Sequence, residues 1–123
     1  MVEFISRHIP GPAQAATCVA ALGEDLHHDP EMGSVVFDRD QDPAAALRQA
    51  GVDSTTVAIV APTWVNLELL RKGYTLLEFV NRPSARQRGV FVCEGAYVHS
   101  LSESRFVASP VPVEEQEEQA IHP

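Results

Sequence analysis

The stretch that decides the fold is Thr55–Val80, TTVAIVAPTWVNLELLRKGYTLLEFV. After its two threonines, the segment 55–61 is apolar on both alternating faces, which is typical of a strand covered on both sides. Apolar residues then recur at helical spacing, and Gly73 suits the left-handed position just past a helix end. The segment Tyr74–Val80 has the composition of a strand again. The stretch therefore predicts a buried strand, a short helix and a second strand.

The residues before this stretch predict further strands and helices. Val2–Ile9 alternates imperfectly between apolar and polar residues and predicts a first strand. Ala13–Leu26 carries its apolar residues along one stripe, which predicts a helix. Ser34–Phe37 is a candidate for a short strand. Asp42 and Pro43 are typical of a helix start, with Asp as the N-cap and Pro at the first helical position.

The residues after this stretch predict antiparallel strands and a tail. Val90–Cys93 and Ala96–Leu101 flank Glu94-Gly95, a pattern typical of a β-hairpin with a two-residue turn. Residues 110–123 combine prolines with the acidic run Glu114–Glu118 and cannot bury enough apolar surface to order themselves. We expect them to form a disordered acidic tail.

Together these elements predict one globular domain over residues 1–109. Short helices that cross between strands favour parallel pairing in the N-terminal part, and the hairpin adds antiparallel strands. We therefore expect an α/β or α+β fold, with a mixed β-sheet, short helices on at least one face and a C-terminal β-hairpin.

Composition indicates a globular protein without a membrane span. Apolar residues make up 45% and charged residues 21% of the chain, which are ordinary values, and no apolar run approaches the roughly 18 residues of a membrane helix. The N-terminus does not resemble a signal peptide. Cys18 and Cys93, with no Cys-x-x-Cys pattern, predict two free thiols in a reducing compartment. We expect a cytoplasmic protein without a membrane partner.

The net charge of −8 is unevenly distributed. Residues 1–70 carry three basic and ten acidic side chains, residues 71–105 carry six basic and three acidic ones, and residues 106–123 carry four acidic and no basic ones. The overall sign argues against non-specific binding to nucleic acid, since phosphate contacts need a basic face. A charge-polarised surface suits contact with a protein partner instead.

The densest group of metal-ligand side chains is Glu24, His27 and His28. Glu24 and His28 are four residues apart, so on a helix they would share a face and could hold one metal ion. Imidazole with carboxylate suits zinc or another divalent transition metal. His8 or His99 would have to supply a third ligand. The alternative is that the histidines interact with the helix dipole and the acidic residues form a solvated face.

Arg82, Arg86 and Arg88 cluster in one predicted loop. Arginine side chains suit phosphate or carboxylate groups because their guanidinium forks match these oxygens. A nucleotide, RNA, an acidic partner or the chain's own Glu114–Glu118 segment could fill this role. A solvated loop without a ligand is the alternative.

Three functional hypotheses follow. The first is a small non-catalytic interaction or regulatory protein without a cofactor, which binds a protein partner through its polarised charge; self-association through the sheet edge is compatible with it. The second is a small metal-dependent or acid–base enzyme centred on Glu24, His27 and His28. The third is phosphate or nucleic-acid binding through Arg82, Arg86 and Arg88.

Overall fold

A computed structural model describes residues 1–32 and 35–121 of the chain. The elements in chain order are β1 (Val2–Ile5), α1 (Pro12–Leu22), β2 (Leu26–His27), α2 (Pro43–Gln49), β3 (Thr56–Ile59), α3 (Thr63–Arg71), β4 (Thr75–Pro83), β5 (Phe91–His99), β6 (Ser104–Ala108) and α4 (Val113–Ile121). Within these described ranges, no helix is both long enough and apolar enough to cross a membrane.

The six strands form one mixed sheet in the order β2-β1-β3-β4-β5-β6. The first four strands in this order pair in parallel, and β5 and β6 are antiparallel to their neighbours. Strand β1 therefore has β2 on one side and β3 on the other. The predicted α/β domain with a mixed sheet is confirmed.

The central strand β3 is covered on both faces, as its apolar sequence predicts. On one face, Val57 packs with Leu47 of α2 and Leu69 of α3, all of them fully buried. On the other face, Ala58 packs with Cys18 of α1. Each fully buried aliphatic side chain contributes about 1.5–3 kcal/mol to folding. Helices on both faces therefore hold the sheet in a doubly wound arrangement.

The sequence places the start of α2 correctly. Asp42 is the N-cap, and its carboxylate accepts a hydrogen bond of 3.2 Å from the backbone N–H of Ala44. Pro43 occupies the first helical position, where its missing N–H costs no intrahelical hydrogen bond.

The predicted helix over Ala13–Leu26 ends four residues early. Gly23 adopts a left-handed conformation with φ of 69° and its N–H binds the carbonyl of Val19, which closes α1 at Leu22. The chain then turns into β2, which pairs with β1. Gly23 lies inside the predicted helix and ends it.

The predicted strand over Ser34–Phe37 is wrong in its described part. Residues 35–37 have no regular secondary structure, and Ser34 lies outside the described residues. The sheet position that this segment was expected to fill is taken by β2, because the early end of α1 leaves Leu26 free to pair with Val2.

The predicted turn at Glu94-Gly95 is also wrong, because β5 runs through both residues. Val80 of β4 pairs with Gly95 and Asn81 pairs with Cys93, so Glu94 is an extra residue in a β-bulge. Glycine is required at position 95 because a larger residue would not fit, and not because the chain turns there. A Cβ there would collide with the carbonyl oxygen of Val107 and approach the ring of Phe106 to 2.6 Å.

The segment expected to be a disordered tail contains α4. Prolines 110 and 112 precede the helix, and Glu114 and Glu115 lie in its first turn, where negative charge is favourable. Gln116 and Glu117 turn back onto the sheet and the loop between β4 and β5. These hydrogen bonds of Gln116 and Glu117 could not be predicted from a composition of prolines and acidic residues.

The close approach at Gly95 predicts a large effect of one methyl group. We expect Gly95→Ala to lower the free energy of unfolding by an amount at the upper end of the about 1–3 kcal/mol typical of overpacking. Urea denaturation measures this loss. The control is Gly11→Ala, since a Cβ at Gly11 meets nothing within 4 Å. Equal losses in the two variants would contradict this account of Gly95.

Candidate ligand-binding crevice

A crevice of about 1070 Å³ lies at the carboxyl ends of the parallel strands. Strand β1 leads through α1 to β2 on one side, whereas β3 lies on its other side. The chain connections therefore diverge between β1 and β3. In open α/β sheets, this is where loops separate and leave room for a ligand. The volume is at the upper end of the about 300–1,000 Å³ found for small-molecule sites.

The inner surface of the crevice is apolar and largely aromatic. Phe4 of β1 and Phe79 of β4 lie side by side, with ring centroids 6.0 Å apart. Ala58 and Leu77 form the floor between them, and Phe91 stands at the start of β5 with 67% of its surface exposed. These side chains point into the crevice because they alternate along strands whose other face is packed against α2 and α3. The crevice thus offers flat apolar surfaces to a ligand.

Polar groups border one end of this surface, where β1 passes into α1. Ser6, Arg7 and His8 follow β1 directly, and all three line the crevice. The first turn of α1 borders it as well. Pro12 has no N–H and the N–H of Gly11 donates to the Gln14 side chain at 3.0 Å, so the N–H groups of Ala13 and Gln14 are the ones left without an intrahelical acceptor. The unsatisfied backbone N–H groups and the dipole of a helix N-terminus favour an anion. Arg7 adds a full positive charge on the same side.

Cys93 and Gln116 close the opposite end. The side-chain amide of Gln116 donates to the carbonyl of Cys93 at 2.8 Å and accepts from its N–H at 2.7 Å. The Cys93 thiol is buried against Thr17, 3.8 Å from its hydroxyl. Burial raises the pKa of Cys93 in spite of this contact. The thiol therefore stays protonated at neutral pH and is a poor nucleophile.

The structure does not bring the predicted metal ligands together. Glu24 lies beyond the end of α1 and forms an ion pair with the N-terminal amine of Met1. His27 is on β2 and its Nδ1 is 2.9 Å from Glu3. His28 donates from Nε2 to the carbonyl of Ser6 at 2.9 Å. Among residues 1–32 and 35–121, no three His, Cys, Asp or Glu side chains are grouped so that they could hold a metal ion.

The two histidines proposed as a third ligand are also apart from this group. His8 lines the crevice. His99 lies at the end of β5, where Nδ1 is 2.6 Å from the Ser104 hydroxyl and Nε2 is 3.0 Å from Glu78. The helical spacing that linked Glu24 to His28 does not exist, because the helix has already ended at Gly23.

The predicted arginines share neither one loop nor one site, because Arg82 is on β4 while Arg86 and Arg88 lie in the loop between β4 and β5. Arg82 pairs with Glu94 across the two strands, with Nε 2.8 Å from the carboxylate. Arg86 uses its backbone N–H to bind Glu117 at 3.1 Å. The side chains of Arg86 and Arg88 are exposed. The acidic C-terminal segment, which was one of the groups expected at these arginines, therefore reaches the loop through a single carboxylate.

The crevice residues themselves were not singled out from the sequence. The signal that could have found them is the segment Ser6–Gly11, which joins the first strand to the first helix of a βα unit. Such a junction lies at the carboxyl edge of a parallel sheet. The aromatic residue Phe91 could not be assigned, because the bulge at Glu94 sets which residues of β5 turn inward.

Comparison with known proteins gives no match to a family model, to a curated protein or to a solved structure.

The contact between His27 and Glu3 predicts a pH effect of defined sign. The hydrogen bond that His27 donates to the Glu3 carboxylate raises the pKa of His27 above its ordinary value. Because the pKa is higher in the folded state, the pair stabilises the fold below the ordinary histidine pKa, and this contribution is lost as the pH rises through the raised pKa. We expect Glu3→Gln to return the pKa of His27 to about 6.5. An NMR titration of the His27 imidazole measures it; an unchanged His27 pKa would contradict the pairing.

Proposed function

We propose that this protein binds a small molecule in the crevice between the carboxyl ends of β1 and β3. The observation that carries the proposal is the position of a crevice of about 1070 Å³ where the connections from β1 and to β3 diverge. The ligand we infer combines a planar apolar part with an anionic group.

The planar part follows from the aromatic lining. Phe4 and Phe79 pack against the buried side chains on the α1 face of the sheet, so their rings form a surface that exists before a ligand binds. Burying apolar ligand area against such a surface contributes roughly 25 cal/mol per Å² before the cost of immobilising the ligand. Phe91, largely exposed at the rim, gains the most from being covered.

The anionic group follows from the charge at the other end. Arg7 and the first turn of α1, with the backbone N–H groups of Ala13 and Gln14, border the same side of the crevice. The hydroxyl of Ser6 and the ring of His8 add hydrogen-bonding groups there. The planar part would therefore lie over the sheet, with the anion towards the start of α1.

The chemistry in the crevice favours binding over thiol catalysis. The thiol of Cys93 lines the crevice, and burial raises the pKa of this thiol. A thiol that stays protonated contributes packing and a weak hydrogen bond to a ligand, but little reactivity.

Recognition of a protein partner stays a prediction from the sequence. The outer edge of β6 is the part of the described fold that would suit it. Beside this edge, Tyr97 of β5 and Phe106 of β6 meet edge to face, with ring centroids 5.2 Å apart, and remain 41% and 48% exposed.

A fluorescence titration with 8-anilinonaphthalene-1-sulfonate tests the proposal, because this dye joins aromatic rings to an anionic group. We expect saturable binding to the natural chain. Ala13 lines the crevice in the first turn of α1, so Ala13→Phe fills the space for the anion. The expected loss is about tenfold in affinity or more, equivalent to 1.4 kcal/mol.

Ala20→Phe is the matched control, since it makes the same change at an exposed position of the same helix. Its affinity for the dye should equal that of the natural chain. Equal weakening by both substitutions, or by neither, would rule out the crevice as the site for this class of ligand.

A second pair of variants tests the charge. We expect Arg7→Gln to weaken dye binding several-fold and to reduce its salt dependence, since an exposed charge acts through a screened field. Arg71→Gln removes a charge on α3 that is paired with Glu68 instead, and should leave the affinity unchanged. Identical salt dependence in both variants would contradict the role of Arg7.

A further inference from the structure

The loop between β4 and β5 holds a carboxylate through two converging donors. The hydroxyl of Ser84 donates to Oε2 of Glu117 at 2.7 Å, and the backbone N–H of Arg86 donates to the same oxygen at 3.1 Å. The Ser84 oxygen also accepts from the N–H groups of Arg86 and Gln87 at 3.1 and 3.2 Å. These two bonds use its lone pairs and direct its proton towards the carboxylate.

The carboxylate in this loop is buried although it belongs to a strongly acidic helix. Glu117 is only 5% exposed. The hydrogen bond from Ser84, supported by the N–H and charge of Arg86, lowers the pKa of Glu117. The loop is therefore built to stabilise a negative oxygen and not merely to tolerate one.

The loop has more positive charge than one carboxylate uses. The side chains of Arg86 and Arg88 are exposed, and within residues 1–32 and 35–121 neither forms an ion pair. A phosphate group carries nearly two negative charges and more acceptor oxygens than a carboxylate. It could use the same two donors and recruit these guanidinium groups as well.

We propose that loop 84–88 is a binding site for a phosphate group, which Glu117 occupies in cis. The helix that supplies Glu117 is suited to exchange, since it lies outside the sheet and is joined to β6 by the segment 109–112. A phosphate-bearing ligand displaces the carboxylate and releases α4 from the loop.

Release of α4 also alters the crevice. Gln116 precedes Glu117, lines the crevice, and satisfies the backbone of Cys93 beyond the part of β5 that β6 covers. When α4 leaves, this wall of the crevice leaves with it. Phosphate at the loop and a ligand in the crevice are thereby coupled through one helix.

Titration with inorganic phosphate, followed by the amide NMR signal of Arg86, tests this in the full chain. Glu117→Ala removes the carboxylate that occupies the loop. In this variant we expect the NMR signal of the Arg86 amide to shift as phosphate is added, until the shift saturates. The natural chain should need at least about tenfold more phosphate, because only the fraction with α4 released can bind. Sodium chloride at equal ionic strength should not reproduce the shift.

The double variant Glu117→Ala with Ser84→Ala is the matched control, since it empties the site and removes one donor. It should lose the saturable response. Unchanged signals from β1 and β3 show that each variant is folded, and Glu117→Gln replaces Glu117→Ala if the smaller side chain prevents folding. An Arg86 amide that ignores phosphate in a folded Glu117 variant, or that responds equally to chloride, overturns the proposal.

Discussion

The parallel pairing of β1 with β3 is the constraint from which the rest of the structure follows. It sets Glu3 beside Val57, Phe4 beside Ala58 and Ile5 beside Ile59. Helix α1 carries the chain from β1 to β2, which lies on the side of β1 away from β3. A gap therefore opens where β1 and β3 end. The same pairing fixes which face each residue of β1 occupies, so Phe4 enters the crevice while Ile5 enters the core under α2 and α3. A shift by one residue would exchange these roles.

In the C-terminal half of the sheet, irregular strand pairing completes the crevice. The bulge at Glu94 restores Cys93 to the crevice side of β5, and β6 covers the strand only as far as Gly95. The backbone of Cys93 would then lack a partner within the sheet, and an unsatisfied buried peptide group costs about 1–3 kcal/mol. The amide of Gln116 supplies both missing hydrogen bonds. One side chain of α4 therefore acts as a substitute for a neighbouring strand.

The sequence predicted those elements whose cause is local. The apolar run of β3 and the Asp42-Pro43 start of α2 depend on a few neighbouring residues, and both lie where expected. The failures have distant causes. Gly95 resembles a turn residue, but the close backbone of β6 explains it. Glu117 resembles a solvated acid, but a loop more than thirty residues earlier in the chain binds it. The crevice was missed for the same reason, since its lining comes from strands that meet only after folding.

The positive segment of the sequence does not become a positive face of the protein. Two of its six basic side chains pair with acids from other elements: Lys72 lies 3.2 Å from Asp42 and Arg82 lies 2.8 Å from Glu94, while Arg71 pairs with Glu68 within α3. Arg105 instead donates to the carbonyl of Ala21, which ties β6 to α1. Exposed pairs of this kind each add at most about 1 kcal/mol, but together they neutralise half of the positive charge in this segment. Exposed positive charge lies at Arg7 beside the crevice and at Arg86 and Arg88 beside Glu117. Each of these positions is suited to a single anionic group, of the kind proposed for the crevice and for loop 84–88.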